Sequence, residues 1–283
     1  MEIKTKTKVA IAKIIFKCIT FFGIKKNILV KRNSIKWSLD LSEGIDLSIF
    51  LFGSFQGDII KSIKNFIFNK NKKINYYDII DVGSNIGDKS LSLSKSLLKK
   101  NFNNFKIFSI EATDFAFNKQ IKNISLNPVL KKKISIFKYF ISSNKFKPKK
   151  TYSSWKLKKS KNTHKIHMGA LKRINKLTKP ITLDEFVKKN RIKNQIILKI
   201  DVDGFEMNVL KSCKRLLKNN NPIIFMEYAP YALKEHGSSI NEFNEFLKKY
   251  NYKKFDLDFI ELNYIKIKDG SSKDIILIKD KKI

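Results

Sequence analysis

Acidic side chains stand at the ends of several predicted strands in this sequence. They are Asp81, Glu111, Asp201, Asp203 and Glu227. Because an open α/β sheet binds its ligands at the carboxyl ends of its strands, separate segments would bring these carboxylates to one edge. Carboxylates placed there can hold hydroxyl groups or a positive charge, and one of them can remove a proton from a reacting group.

The first two acids frame a compact unit between residues 76 and 111. It reads as a β-rich run, a glycine turn, a helix and a second strand, at residues 77–82, 83–87, 88–100 and 105–110. Glycines at such a turn let a ligand approach the backbone, and the start of the helix offers free N–H groups. Glu111, just beyond the second strand, can hold the two hydroxyls of a ribose. The unit therefore predicts nucleotide binding.

The turn favours one class of nucleotide ligand. It has the pattern G-x-N-x-G, formed by Gly83, Asn85 and Gly87, and it lacks the third glycine of the dinucleotide fingerprint. Asp81 beside it would repel a pyrophosphate but can hold the cationic amino-acid moiety of S-adenosylmethionine, which carries no phosphate. We therefore expect S-adenosylmethionine as the cofactor. An ordinary glycine turn in an α/β protein is the alternative, and the missing glycine argues against a dehydrogenase.

Strands and helices alternate along the rest of the chain. Further strands are expected at residues 134–141, 195–201, 222–227, 254–258, 262–267 and 274–278, the last two as an antiparallel pair. This alternation predicts a mostly parallel sheet with helices on both faces. Residues 143–180 lose periodicity and are expected to be one long basic loop, which is a lid, a binding loop or a disordered segment. Its His164 and His167 have no carboxylate or thiol nearby, so no metal site is predicted.

The N-terminal part is expected to be an extension of the core domain, with the two parts at residues 1–70 and 71–283. It should contain a helix at 9–22 and a hairpin at 28–41. Lys13 and Lys17 interrupt the apolar helix, which falls short of membrane-spanning length. We expect the helix either to pack on the domain or to make weak contact with a membrane surface through residues 4–22. Because the sequence shows no export signal, we expect a cytoplasmic protein.

The formal net charge of +34 suggests nucleic acid or an anionic membrane as a partner. The distribution of the charge argues against nucleic acid, because lysine is spread over nearly every segment and arginine, which usually recognises phosphate, is scarce. The arginines are Arg32, Arg173, Arg191 and Arg215. The two cysteines, Cys18 and Cys213, are too few for a disulfide framework or a metal site. Most of the charge is interpreted as solvated surface.

Taken together, the motifs resemble the FkbM-type S-adenosylmethionine-dependent methyltransferases over residues 76–260. The similar segments are residues 81–87, 109–111, 182–186, 198–206 with Val209 and Leu210, and 224–227. The block at 198–206 is the most specific of them. Ala112 stands where the family usually has proline, and Asp203 replaces a more common glutamate.

The resemblance implies a Rossmann-like class I methyltransferase sheet with its last strand antiparallel. It implies methyl transfer to a hydroxyl of a small molecule such as a sugar or secondary metabolite, or of a glycan. The residues expected to hold the cofactor are Asp81, Gly83, Ser84, Asn85, Gly87, Glu111, Ala112 and Ser142. The candidates for a base that deprotonates the acceptor are Asp201, Asp203 and Glu227, in that order.

Two other functions remain open at this point. An RNA methyltransferase is suggested by the positive charge, although the sequence lacks the tetrapeptide of amino-group methylation and the Pro-Cys nucleophile of cytosine methylation. A non-catalytic, polyanion-binding protein on a methyltransferase fold is the other, because a fold does not establish a function.

Overall fold

The computed structural model describes residues 5–55, 57–70, 74–143, 148, 150–155, 169–174, 178–268 and 270–280. The helices are α1 (Thr5–Phe21), α2 (Gly44–Phe52), α3 (Gly57–Asn65), α4 (Asp88–Leu98), α5 (Asp114–Ser125), α6 (Pro128–Lys131), α7 (Leu183–Lys189), α8 (Glu206–Lys211), α9 (Lys214–Asn219), α10 (Pro230–Glu235) and α11 (Ile240–Lys249). A π-helical turn, Phe66–Lys70, continues α3. The strands are β1 (Asn27–Arg32), β2 (Ile35–Asp40), β3 (Tyr77–Val82), β4 (Phe105–Glu111), β5 (Ile134–Ile141), β6 (Lys150–Trp155), β7 (Gly169–Arg173), β8 (Lys179–Ile181), β9 (Gln195–Ile200), β10 (Ile223–Tyr228), β11 (Tyr252–Phe255) and β12 (Lys273–Lys279).

Eight strands form one sheet in the order β11-β12-β10-β9-β3-β4-β5-β8. Neighbouring strands are parallel, except that β12 runs antiparallel to both β10 and β11. β3 lies near the middle and is buried along its whole length, as expected for a strand that helices cover on both faces. The predicted α/β fold with a mostly parallel sheet is confirmed.

Two apolar layers hold the helices to the sheet. On one face, α2 to α5 and the β1-β2 hairpin contribute side chains such as Trp37, Leu91 and Ile124. On the other face, α7 to α11 contribute side chains such as Phe186 and Phe243. All of these side chains are buried, so both faces of the sheet are removed from water.

The direction in which successive strands are added to the sheet changes at β3. β4, β5 and β8 follow β3 on one side, whereas β9 and β10 lie on the other side. The crevice outside the carboxyl ends of β3 and β9 is therefore a topological switch point, where open α/β sheets bind ligands. The glycine turn follows β3 there, and Asp201 follows β9.

The predicted N-terminal hairpin is present as β1 and β2, which pair antiparallel. The backbone N–H of Ser38 donates to Oδ1 of Asn123 on α5 (2.8 Å), and Nδ2 of Asn123 donates to the carbonyl of Ile86 (3.1 Å). One side chain thus ties the hairpin to the glycine turn. None of the helices in the described ranges is long and apolar enough to cross a membrane.

The segment 143–180 differs from the prediction of one long loop. It contains the antiparallel hairpin β6-β7 and the short strand β8, which pairs with β5 at the end of the sheet. β8 was missed because it has only three residues, too few for a periodic pattern. His164 and His167 lie outside the described residues.

The predicted strand at 262–267 is wrong. β12 pairs with both β10 and β11, so neither edge of β12 is left for another partner. Leu262, Ile265 and Ile267 pack instead against the apolar layer. The apolar residues of 262–267 therefore serve to cover the core, although this segment forms no ladder of backbone hydrogen bonds with a neighbouring strand.

Candidate active site

The glycine turn is wedged between β4 and the segment after β9. The N–H groups of Gly83 and Ser84 both donate to the carbonyl of Ile110, each at 3.0 Å. Gly83 has a φ of 77°, and a Cβ atom there would lie 1.8 Å from the carbonyl oxygen of Asp201. Only glycine fits this position, because any side chain would meet the backbone of the neighbouring segment.

Glu111 fixes the rim of the turn. Its Oε2 accepts the N–H of Asn85 (2.9 Å), and its Oε1 accepts the N–H and the hydroxyl of Thr113 (2.8 and 2.7 Å). Burial raises the pKa of Glu111, and these hydrogen bonds oppose the rise. The structure therefore places this acid on the turn itself, with its orientation set by three donors, and its predicted contact with a ribose stays a prediction.

Asp81 lies beneath the turn rather than on its surface. It is buried, its Oδ1 is 3.1 Å from Nζ of Lys199, and its Oδ2 accepts the hydroxyl of Ser90 (2.7 Å). Nζ of Lys199 also donates to the carbonyl of Gly83 (2.9 Å) and lies 3.5 Å from Asp201. Burial alone would lower the pKa of Lys199, but the charges of Asp81 and Asp201 raise it. Asp81 thus supports the turn through Lys199, and its predicted contact with a cofactor stays a prediction.

A buried chain of polar side chains continues from Asp81 under the turn. Ser90 shares a hydrogen bond with Ser109 (2.7 Å), and Gln120 donates to the hydroxyls of Ser109 and Ser84. All four residues are buried. Since a buried polar group without a partner is costly, this chain fixes the relative positions of β3, β4, α4 and α5 around the turn.

The other predicted cofactor residues lie beside the turn or at the neighbouring strand ends. Gly87 precedes α4 with a φ of 88°. Ala112 packs against a small apolar cluster that includes Phe140 and Phe205. Ser142 is buried after β5, where its N–H donates to the carbonyl of Ile181 (3.0 Å). The structure thus offers an apolar wall at Ala112 next to the carboxylate of Glu111.

The segment after β9 carries three acids. Glu206 is buried, and its Oε1 accepts the N–H groups of Val202 and Gly204 (3.1 Å each). Burial raises the pKa of Glu206 to about 7. Asp203 has a φ of 51°, a backbone region that is costly for residues other than glycine. Asp203 as a whole residue is exposed to solvent. Burial of its carboxyl group, followed by the charge of Asp201, raises its pKa to about 7.

β10 and β12 add two more acids to the same edge. Glu227 and Asp274 are direct partners in the antiparallel register, and Oε1 of Glu227 accepts the hydroxyl of Ser272 (2.6 Å). Burial and the charge of Asp201 raise the pKa of Glu227 well above its ordinary range. The same two causes raise the pKa of Asp274 to about 6.

A cavity of about 280 Å³ opens at the end of β10. Its lining includes Tyr228, Tyr231, Asn244, Lys254, Tyr264 and Lys268. Burial, followed by the charge of Glu227, raises the pKa of Tyr231. Aromatic faces with a few polar groups suit a small hydroxylated ligand.

Sequence reasoning missed Lys199 and Asp274 as site residues. A charged residue inside the apolar run of β9 was the signal for Lys199, because a lysine in a buried central strand needs an acidic partner. Asp274 begins β12, and an antiparallel strand begins at the edge where its parallel neighbours end. Across the described ranges, no three His, Cys, Asp or Glu side chains are placed to share a metal ion.

A family model described as "Methyltransferase FkbM domain" matches residues 81–254. No curated protein sequence matches the chain.

Several solved structures are similar to the chain. One is methyltransferase FkbM from Methylobacillus flagellatus KT, at 12% identity and a TM-score of 0.42, covering 75% of this chain and 47% of that one. The chain thus spans about half the length of that protein. Another is the human methyltransferase 10 domain containing protein, at 12% identity and a TM-score of 0.46, covering 99% of each chain. A third is Pyrococcus horikoshii TYW2 in complex with MeSAdo, at 15% identity and a TM-score of 0.41, covering 96% of this chain and 84% of that one.

Proposed function

The chain belongs to the FkbM methyltransferase domain family, and on that premise we propose that it uses S-adenosylmethionine to methylate a hydroxyl oxygen of a sugar, a glycan or another hydroxylated metabolite. The observation that carries the proposal is the acidic edge around the glycine turn, in a chain whose net charge is +34.

The acidic edge suits a cationic cofactor. Lys199 beneath the turn is neutralised by Asp81 and Asp201, and Lys89 at the start of α4 pairs with Asp88 (2.9 Å). Because both lysines are paired with acids, the carboxylates of this edge would repel a pyrophosphate. The same carboxylates would attract an ammonium or a sulfonium group. The donor set therefore fits S-adenosylmethionine.

Three parts of the site would hold that cofactor. The backbone of residues 83–87 would receive the methionine part, and Glu111 would accept the ribose hydroxyls on the side not used by Asn85 and Thr113. The apolar wall at Ala112 would cover the adenine, near Ser142. When bound, the cofactor supplies a methyl group that is already activated by its positive sulfur.

The cavity at the end of β10 would bind the acceptor. Tyr228, Tyr231 and Tyr264 provide faces for the C–H surface of a sugar-like ring. Asn244 provides an amide that can bond to hydroxyl groups. Holding the acceptor hydroxyl in line with the donor supplies much of the rate enhancement of a bimolecular transfer.

Asp203 is the preferred base in this arrangement. Its pKa of about 7 and its solvent-facing position allow it to take a proton from an acceptor at neutral pH. Asp201 ranks lower than the sequence suggested, because it already pairs with Lys199. Glu227, which precedes the cavity residue Tyr228 on β10, is the second candidate.

Calorimetric titration with S-adenosylmethionine and S-adenosylhomocysteine tests the cofactor. We expect binding by the wild-type protein and an affinity at least about tenfold lower for Glu111→Gln, because a ribose hydroxyl loses a charged acceptor. Glu261→Gln, an exposed acid outside the site, is the matched control. A folded wild-type protein that binds neither compound would refute the proposal.

Methyl transfer to a panel of hydroxylated acceptors tests the base. Asp203→Asn should lower kcat by about a hundredfold or more while cofactor affinity is kept. If Asp203→Asn retains full activity and Glu227→Gln does not, the base is Glu227.

A further inference from the structure

Helix α1 carries two apolar stripes on different faces. Ala12, Ile15, Phe16 and Ile19 pack against the apolar layer of the core. The second stripe is outward and consists of Ile11, Ile14, Cys18, Phe21 and Phe22, with Ile14 63%, Phe21 85% and Phe22 78% exposed. The spacing of three and four residues from Ile11 to Phe21 places those side chains on one face of the helix, and Phe22 follows directly after it. Within the part of the chain that the structure describes, one face of α1 thus packs on the core and another face is exposed.

The outward stripe differs from most protein surface because its exposed apolar side chains lie close together. Phe21 and Phe22 form an edge-to-face pair with ring centroids 5.6 Å apart, at the end of the helix and in water. Isolated apolar residues on a surface need no explanation, but a contiguous apolar strip marks a contact site.

The charge around the stripe is of one sign. Lys13 and Lys17 lie beside the stripe on the helical wheel, and Lys25 and Lys26 follow the helix directly. Between Glu2 and Asp40 the sequence has no acidic residue. A partner for this surface must therefore offer negative charge together with an apolar layer.

We propose that α1 docks the protein on an anionic lipid bilayer, with the outward stripe in the interface and the lysines on the headgroups. An amphipathic helix that lies in the interface combines such a face with flanking lysines. A second copy of the chain fits less well, because it would bring two lysine-rich helices together. This proposal does not depend on the methyl-transfer reaction.

Flotation with lipid vesicles tests the docking. Vesicles of phosphatidylcholine with a third of phosphatidylglycerol should bind the wild-type protein, and vesicles of pure phosphatidylcholine should bind it at least about tenfold more weakly at low salt. The double variant Phe21→Ser/Phe22→Ser should lose about tenfold or more in affinity for the anionic vesicles. Because both side chains are exposed, the variant should keep its fold, which circular dichroism checks.

A matched double variant removes two exposed apolar side chains elsewhere. Val129→Ser/Ile260→Ser, at positions 66% and 63% exposed, should bind like the wild-type protein. Lys13→Gln/Lys17→Gln should weaken binding to anionic vesicles by about tenfold.

Three results would overturn the proposal. They are no binding to anionic vesicles, equal binding by the wild-type protein and the phenylalanine variant, and a dimer in sedimentation velocity that the phenylalanine variant abolishes. The last result would identify a second copy of the chain as the partner of the stripe.

Discussion

The acidic edge of the sheet has two halves that are built differently. In the turn half, behind β3 and β4, each carboxylate has its own partner: Asp81 pairs with Lys199, and Glu111 accepts the N–H of Asn85. In the crowded half, behind β9, β10 and β12, burial and then the charge of neighbouring carboxylates raise the pKa of the acids. The members of the crowded half are Asp203, Glu206, Glu227 and Asp274, and the charge of Asp201 acts on all four.

The difference shows how one residue type serves two purposes on one sheet edge. Carboxylates with dedicated donors are held in place and shape the backbone around them, which suits binding. Carboxylates that share a space with other carboxylates hold protons more tightly, which suits proton transfer near neutral pH.

Removing the cation of the turn half should have the largest effect. Lys199→Met leaves Asp81 buried without its ion-pair partner, so we expect the free energy of unfolding to fall by about 3–5 kcal/mol. Urea denaturation followed by circular dichroism measures this change. Lys106→Met, at an exposed position of β4, is the matched control and should stay within about 0.5 kcal/mol of the wild-type value.

A double variant sharpens the first prediction. Adding Asp81→Asn to Lys199→Met removes the charge together with its partner and should recover part of the loss. If Lys199→Met were as stable as Lys106→Met, the turn half would not depend on its cation.

Removing an acid from the crowded half should have a smaller effect of the opposite sign. Burial and the charge of Asp201 raise the pKa of Asp274 to about 6 in the folded protein, from an ordinary value near 3.8. The unfolded chain therefore releases this proton first as the pH rises from about 4 to 6, and the free energy of unfolding falls through that window. Asp274→Asn should raise the free energy of unfolding by about 1–3 kcal/mol at pH 7.5 and change it little at pH 4.

Denaturation at several pH values checks this prediction. Asp258→Asn, at an exposed turn position, is the control and should change the free energy of unfolding little at either pH. A loss of stability at pH 7.5 in Asp274→Asn would show that the acids of this half are not in mutual repulsion.

The smallest effect concerns the polar chain beneath the turn. Ser109→Ala removes the hydroxyl that bonds to Ser90 and Gln120, and we expect the free energy of unfolding to fall by about 1 kcal/mol. Ser135→Ala, a half-buried position on the neighbouring strand β5, serves for comparison in the same denaturation experiment. Equal values for the two variants would mean that the chain does not stabilise the turn half.

Much of the turn half was predictable from the sequence because its signals are local. The glycine turn, the strands on either side and Glu111 occur within 36 residues, at 76–111, and follow the β-α-β pattern. The capping box at Thr182 and Glu185 likewise depends on two residues only three positions apart. Such signals depend on neighbouring residues, which the sequence displays directly.

The crowded half was less predictable because it depends on strand register. Asp274 meets Glu227 only because β12 enters the sheet beside β10, and the sequence instead suggested that 274–278 pairs with 262–267. Lys199 was visible as a charge within an apolar strand, but its partner Asp81 lies more than a hundred residues earlier in the chain. Pairings at that distance follow from the packed fold rather than from periodicity.

The place of β12 in the sheet has a consequence for how the protein is made. β12 follows all other described strands in the chain, yet it lies between β10 and β11. While the ribosome is still adding residues 273–279, β10 and β11 both present unpaired edges to the cell. The nascent chain therefore completes its sheet only after the other described strands have been made, and until then these edges are open to chaperones and to pairing with other chains.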